Sequence, residues 1–416
     1  MNAAAAGGST PELTDSPYAW WRLSVAVLLS TIGGVGMWSV VVVLPAMQAD
    51  FGVDRGAAAL PYTLTMFGFA AGGVLLGQLA DRVGVTLPVI LSTLALAAGY
   101  IAVGYAPSLW LVAIAHGALI GVGTSATFAP LMADISHWFV RRRGIAVAVA
   151  ASGNYLAGTI WPPIVQHFTA TEGWRATYIG IGLFCLVTML PLSLLLRRRM
   201  ETRNSAASGA AAAAKQAALP FSPRTLQVLI CIAGIACCVA MSMPQVHIVA
   251  YCGDLGYGVA RGADMLSLML GFGIISRVAS GFIADRIGGV GTLLLGSVLQ
   301  GVALFLYLMF DGLMSLYVIS ALFGLFQGGI VPSYAIIVRE YFPPQQASTR
   351  VGLVIMATIL GMALGGWLSG VIFDLTGSYQ AAFLNGIGWN LLNVSIMTWL
   401  LLRSRQRPGP GVAQAA

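Results

Sequence analysis

Apolar runs of about 20 residues or more recur along the whole chain, at 21–47, 57–80, 84–104, 109–132, 144–167, 176–196, 225–252, 262–284, 288–309, 314–338, 349–372 and 380–402. Each can cross about 30 Å of hydrocarbon at 1.5 Å per residue, and within lipid a helix satisfies its own backbone. The pattern therefore predicts twelve transmembrane helices. The first run follows a polar start, Met1–Ser16, that has no basic stretch and no convincing small-residue cleavage site, so it reads as a retained span. One long polar break, 197–224, carries RRRMETR and then SAASGAAAAAKQAA and divides six spans from six. It reads as a linker with no chemistry of its own. The chain parses into an N-terminal segment 1–20, a six-helix half 21–196, the linker 197–224, a second six-helix half 225–402 and a tail 403–416. The predicted class is an all-α polytopic membrane protein.

Composition agrees with the pattern. Of 416 residues, 58% are hydrophobic and 8% charged, against roughly a quarter charged in a soluble domain. The five cysteines lie almost all within apolar runs and have no metal-ligand spacing, so neither a disulfide framework nor a metal site is expected. The net charge of +7 acquires its meaning from position. With the N-terminus in the cytoplasm, 17 of the 21 Lys and Arg residues fall on that side, Arg22, Arg82, Arg141, Arg142 and Arg143 among them, while Arg55, Arg175 and Arg261 fall outside. That asymmetry predicts cytoplasmic termini and explains the basic charge without a nucleic-acid partner. One cation is left over, Arg277, inside the eighth span.

The two halves repeat. Gly77-Gln-Leu-Ala-Asp81-Arg82-Val-Gly84 lies between spans 2 and 3, and Gly281-Phe-Ile-Ala-Asp285-Arg286-Ile-Gly288 lies 204 residues later, between spans 8 and 9. Trp138-Phe139 and Tyr341-Phe342 correspond at an offset of 203. Parallel six-span repeats belong to transporters whose halves rock about a site near the bilayer midplane. At these residues the chain resembles the major facilitator superfamily over essentially all twelve spans. The glycines of the Asp-Arg loops let helix ends approach, and the charged pair can favour one of two alternating states. The basic triplet Arg141-Arg142-Arg143 joins them as a gating candidate.

Within the superfamily, Trp138-Phe-Val-Arg-Arg-Arg-Gly-Ile-Ala146, continuing to Ala151-Ser-Gly153 and Gly158, resembles a signature of the monocarboxylate porter family. Asp15-Ser-Pro-Tyr-Ala-Trp20 partly matches the family's other signature but lacks its glycines. The stretch from His247 to Gly256, followed by Ser276-Arg277 and Gly281, is similar to bacterial members, which implies a bacterial cytoplasmic membrane. The chain also departs from animal members: Gly273 stands where they carry an Asp four residues before the helix 8 arginine, and span 1 has no Lys.

Candidate chemistry centres on Arg277. It lies about 12 Å inside its helix end, where a guanidinium is costly unless it faces a cavity, a partner or an anion. Its planar fork matches a carboxylate, and the resemblance implies that role. A structural Arg bonded to carbonyls is the alternative. Asn154, Tyr155, Gln327 and His116 are candidates for the rest of a substrate site, or they knit helices together. Asp254 and His247 are candidates for proton coupling, with Asp254 implied by the resemblance as the partner of Arg277. Geometry opposes that pairing, because Asp254 lies at the outer end of span 7. The expected activity is transport of a small organic anion, a lactate- or pyruvate-like or aromatic monocarboxylate, with a proton and without a cofactor; a monomer suffices. A proton-coupled drug antiporter and a transporter-like sensor are the competing readings. An enzyme is disfavoured, since no paired carboxylates, His cluster or nucleophile-base spacing occurs within the spans.

Overall fold

The computed structural model describes residues 14–198, 222–342 and 344–405. The predicted linker from 199 to 221, the chain ends and the side chain of Arg143 lie outside the described residues. Ten helices are long and apolar enough to cross a bilayer. One of them, Val259–Met309, is two passes folded at Gly288, and Tyr379–Arg405 adds another. The described chain thus makes twelve passes: α1 Pro17–Phe51, α2 Arg55–Val83, α3 Thr86–Gly104, α4 Leu109–Trp138, α5 Gly144–Glu172, α6 Trp174–Leu194, α7 Pro223–Asp254, α8 259–287, α9 289–309, α10 Leu313–Tyr341, α11 Thr349–Thr376 and α12 Tyr379–Arg405. An even number of passes returns the chain to the side on which it starts, here called the terminal side; the other is the far side.

Local chemistry sets several boundaries. α1 begins at Pro17, four residues before the predicted 21, because the Ser16 hydroxyl accepts from the Ala19 N–H and proline suits the first helical turn. The same Ser-Pro start recurs at Ser222-Pro223, where α7 begins, and the Ser222 hydroxyl accepts from Thr225. The repeated Asp-Arg loops end alike: Gly84 has φ 86° and ψ 171°, and Gly288 has φ 77° and ψ 170°. A Cβ disfavours that backbone, so the last glycine of each motif is what lets α2 and α8 stop and the chain reverse.

Two passes are broken near their middles. In α4 a π-helical stretch, His116–Gly121, precedes an irregular turn at 126–128. In α10 the helix stops at Gln327 and resumes at Ile330. Pro130 and Pro332 account for both breaks. A proline cannot donate to the carbonyl four residues earlier and its ring clashes there, which falls on Ala126 and Gly328. α1 is also interrupted, at Gly34, whereas α7 runs unbroken through Pro244.

Helices α1–α6 pack together, as do α7–α12, and the two groups meet along α5 against α8 and α2 against α11. Glycine makes the seams close: Gly370 of α11 lies on the backbone of Arg55 and Gly56, and Gly366 lies on the Tyr62 ring. Small residues at such contacts are how helices approach where lipid supplies no hydrophobic drive between them. All five thiols are free.

Candidate functional site

Arg277 sits on the α5–α8 seam between the halves. Its Nη1 donates to the Ala151 carbonyl of α5 at 3.1 Å, and its Nε donates to the Gly328 carbonyl, at the break of α10, at 3.4 Å. The guanidinium carbon lies 4.3 Å from the centroid of the Tyr155 ring, a cation–π distance. Gly273 makes that possible, because any Cβ there would collide with the Tyr155 ring. The ring therefore occupies the side on which animal members of the resembling family carry an acid. Among the described residues no carboxylate lies within ion-pair distance of Arg277, and part of its fork remains uncommitted. The charge is half-buried, ordered by an aromatic face and two carbonyls, and not neutralised.

Asp254 is elsewhere. Its carboxylate accepts a bidentate pair from Arg55, with Nη1 to Oδ2 at 2.7 Å and Nη2 to Oδ1 at 3.1 Å. The pairing with Arg277 is thus corrected: Asp254 ends α7 on the far side, at the level where Arg55 begins α2. Arg55 is held from every edge. Its Nε donates to Gln48, its second Nη1 bond goes to the Tyr379 hydroxyl at 2.7 Å, and its guanidinium lies 4.5 Å from the Phe373 ring centroid. Asp374 accepts from the backbone N–H groups of Arg55 and Gly56. These bonds clasp the halves, joining α2 to α7, α11 and α12.

The clasp continues inward to His247. Its Nε2 faces the Gly366 carbonyl at 2.7 Å and so carries the ring proton, which leaves Nδ1 to accept from the Tyr379 hydroxyl at 3.1 Å. The Tyr379 oxygen in turn accepts from Arg55. Asp254 and His247, singled out separately in the sequence, are the two ends of one hydrogen-bond chain through Arg55 and Tyr379.

On the terminal side, the two signature segments form a single unit. Asp15, at φ 56°, accepts from the backbone N–H groups of Val140, Arg141 and Arg142, and its own N–H donates to the Trp138 carbonyl. Asp tolerates that left-handed backbone better than most residues. The Arg141 N–H foremost, helped by those of Val140 and Arg142, holds the Asp15 carboxyl below its ordinary range against a weaker opposing effect of burial. Tyr18 packs on Trp138 and Trp20 on Phe139. Beneath them Arg22 is buried, donating to both carboxylate oxygens of Asp134 at 2.8 and 3.0 Å and to the Leu196 carbonyl, with Trp138 over its guanidinium. Arg22 is thus a structural ion pair as well as a member of the basic side. Asp81, Arg82, Asp285 and Arg286 stand exposed at the terminal-side ends of α2 and α8, with Gly77 and Gly281 one turn behind.

The remaining candidates divide. Gln327 is buried at the α10 break beside Gly328, so it shares that segment with the Arg277 site. Asn154 is engaged by the Trp38 indole at 3.2 Å and ties α5 to α1. His116 lies within the first half, its Nδ1 on Thr65 at 3.0 Å and its ring against Tyr178, away from Arg277's partners. Arg55 and Tyr379 were missed as functional residues, since contacts 199 and 324 residues apart leave no local pattern. Pro130 and Pro332, 202 residues apart and so one position out of register in the two repeats, are a local signal that could have marked the broken helices.

The family model described as Major Facilitator Superfamily matches residues 26–313 and 290–416. Rat "Monocarboxylate transporter 13" is 29% identical over 336 residues, 78% of this chain and 74% of that protein. "MFS-type transporter pynF" of Aspergillus niger is 24% identical, over 81% of this chain and 77% of its own. In fold, the chain is similar to a bacterial homolog of the human lysosomal transporter Spinster in an inward-facing and unoccupied conformation, with TM-score 0.69 and 15% identity over 95% of this chain and all of that one. With twelve passes in two repeated halves and a family match across nearly all of them, this chain belongs to the major facilitator superfamily of transporters.

Proposed function

We infer that the protein carries a small monocarboxylate across the membrane together with a proton, by alternating access of its two six-helix halves. The observation that carries this reading is Arg277, a guanidinium on the seam between the halves whose charge no carboxylate balances among the described residues. An intramembrane cation of that kind is matched by an anionic substrate, and its open fork suits a carboxylate. The proton step belongs to the far-side clasp. Protonating Asp254 removes the charge that Arg55 grips, so proton arrival and release of the far-side contact become one event. On this reading the far side is the outer face, the terminal side is the bacterial cytoplasm, and the Asp-Arg loops and the Arg141–Arg143 turn gate the inner face. One chain suffices. The likeness to a monocarboxylate transporter supports the substrate class.

Proteoliposome uptake tests the reading. Labelled small monocarboxylates accumulate under an inward proton gradient, and Arg277→Lys, which keeps the charge but loses the fork, lowers the initial rate by about tenfold or more. Expulsion of a lipophilic cation under the same gradient, with no acid uptake, overturns it in favour of drug antiport.

A further inference from the structure

Gln327, on the last turn before the break of α10, is buried, and its repeat equivalent at the offset of 203 is Thr124, on the last turn before the break of α4, buried as well. Both carry a polar atom with no partner, Gln327 Nε2 and Thr124 Oγ1. Gln327 does have one bond, accepting at Oε1 from Gln245 Nε2 of α7 at 3.0 Å, and Gln245 Oε1 is in turn unpartnered. Other buried amides behave differently. Gln300 Nε2 donates to the Cys237 carbonyl, Asn390 Nδ2 to the Ser297 carbonyl, and Asn393 bonds both Ser297 and Tyr334. Gln300 and Asn393 are bonded at both ends of the amide and Asn390 leaves only its Oδ1 idle, whereas the two glutamines bond each other and leave both a donor group and an acceptor idle. Turning both amides over gives the same inventory. An unmade bond of a buried polar group is costly, and within a bilayer no bulk water offsets it. The residue after Gln327 is Gly328, whose carbonyl holds Arg277.

We propose that Gln245 and Gln327 form a second recognition point for the substrate, one that reads a hydroxyl. The inference rests on the carboxylate reading of Arg277 and extends it. A hydroxyl both donates and accepts, and so satisfies Gln245 Oε1 and Gln327 Nε2 together. A keto oxygen satisfies only the donor, and an unsubstituted acid satisfies neither. The substrate is therefore a hydroxy acid, its carboxylate on Arg277 and its hydroxyl on the amide pair at the α10 break.

Binding of four labelled acids to the purified full chain tests this: butanoic, 2-hydroxybutanoic, 3-hydroxybutanoic and 2-oxobutanoic acid. At least one hydroxy acid binds the unaltered chain about tenfold or more tighter than butanoic acid, and tighter than the keto acid, because a site built to bond a hydroxyl rejects analogues without one. The double variant Gln245→Met/Gln327→Met removes both polar ends at nearly constant volume, which a fold tolerates better than losing one partner. In it the preference for a hydroxy acid over butanoic acid falls to about one. A preference that survives the double variant, or none in the unaltered chain, overturns the amide-pair site and leaves the Arg277 reading standing. Failure of all four acids to bind overturns both.

Discussion

Two arginines in this molecule make the same bonds to opposite purpose. Arg22 and Arg55 each grip an aspartate through two nitrogens, each lies against an aromatic face, and each spends a further N–H on a neutral oxygen. The pair Arg22–Asp134 joins α1 to α4 inside one half, so no rigid-body movement of the halves touches it. The pair Arg55–Asp254 joins α2 to α7 across the halves, so that movement must break it. Solvent exposure follows the division: the Asp134 side chain is 15% exposed and that of Asp254 36%. An ion pair within a rigid body serves stability. Between rigid bodies it sets a population.

The comparison breaks most visibly at Asp134. Asp134→Ala strands a buried guanidinium and lowers unfolding stability in detergent by about 3–5 kcal/mol, whereas Arg22→Leu/Asp134→Leu recovers most of the loss. A loss near zero in the single variant would make the two arginines alike. Asp254→Ala is expected to act on conformation with a smaller effect on stability. Spin labels on the far-side loops 52–54 and 255–258 report separation of the halves, and the separated population rises about tenfold, or ~1.4 kcal/mol. An unchanged distance distribution removes the clasp from the transport cycle. The smallest effect is expected at Asp15→Asn. Because the folded carboxyl titrates below its ordinary range, its contribution is complete at neutral pH and is lost as pH falls through that lowered value. The difference in thermal stability between parent and Asp15→Asn is therefore flat from pH 8 to about 5 and shrinks only in stronger acid. A difference that changes around pH 7 points to another group.

Periodic features were legible in the sequence, and long-range pairings were not. Twelve apolar runs and two Gly-x-x-Ala-Asp-Arg-x-Gly loops are local patterns, and the passes, the halves and the matching backbone of Gly84 and Gly288 follow from them. Arg277 was conspicuous because a charge within an apolar run is rare. Its surroundings were hidden, since the Tyr155 ring reaches it only where Gly273 leaves room, and helix-face direction cannot be read from one chain. Arg55 was counted as a loop cation because nothing near it in sequence names its partners. The pairing of Asp254 with Arg277 failed for a geometric reason already visible in the count, since two residues at different depths on straight helices do not meet. Asp15 was a weak motif in isolation and became informative once the turn at 140–142 stood around it.

The terminal-side knot also sets a timetable for synthesis. Asp15 and Arg22 leave the ribosome well before their partners: Asp15 waits for residue 142 and Arg22 for the Leu196 carbonyl, 174 residues after it. At about 5–20 residues per second, that wait is roughly 9–35 seconds. For the first 112 of those residues, until Asp134 is made, the first helix holds a guanidinium with no protein anion, at the membrane boundary where lipid headgroups supply one. The nascent chain is thus committed to fold its first half as a six-helix unit, and the bond to Leu196 forms only when the sixth helix has arrived.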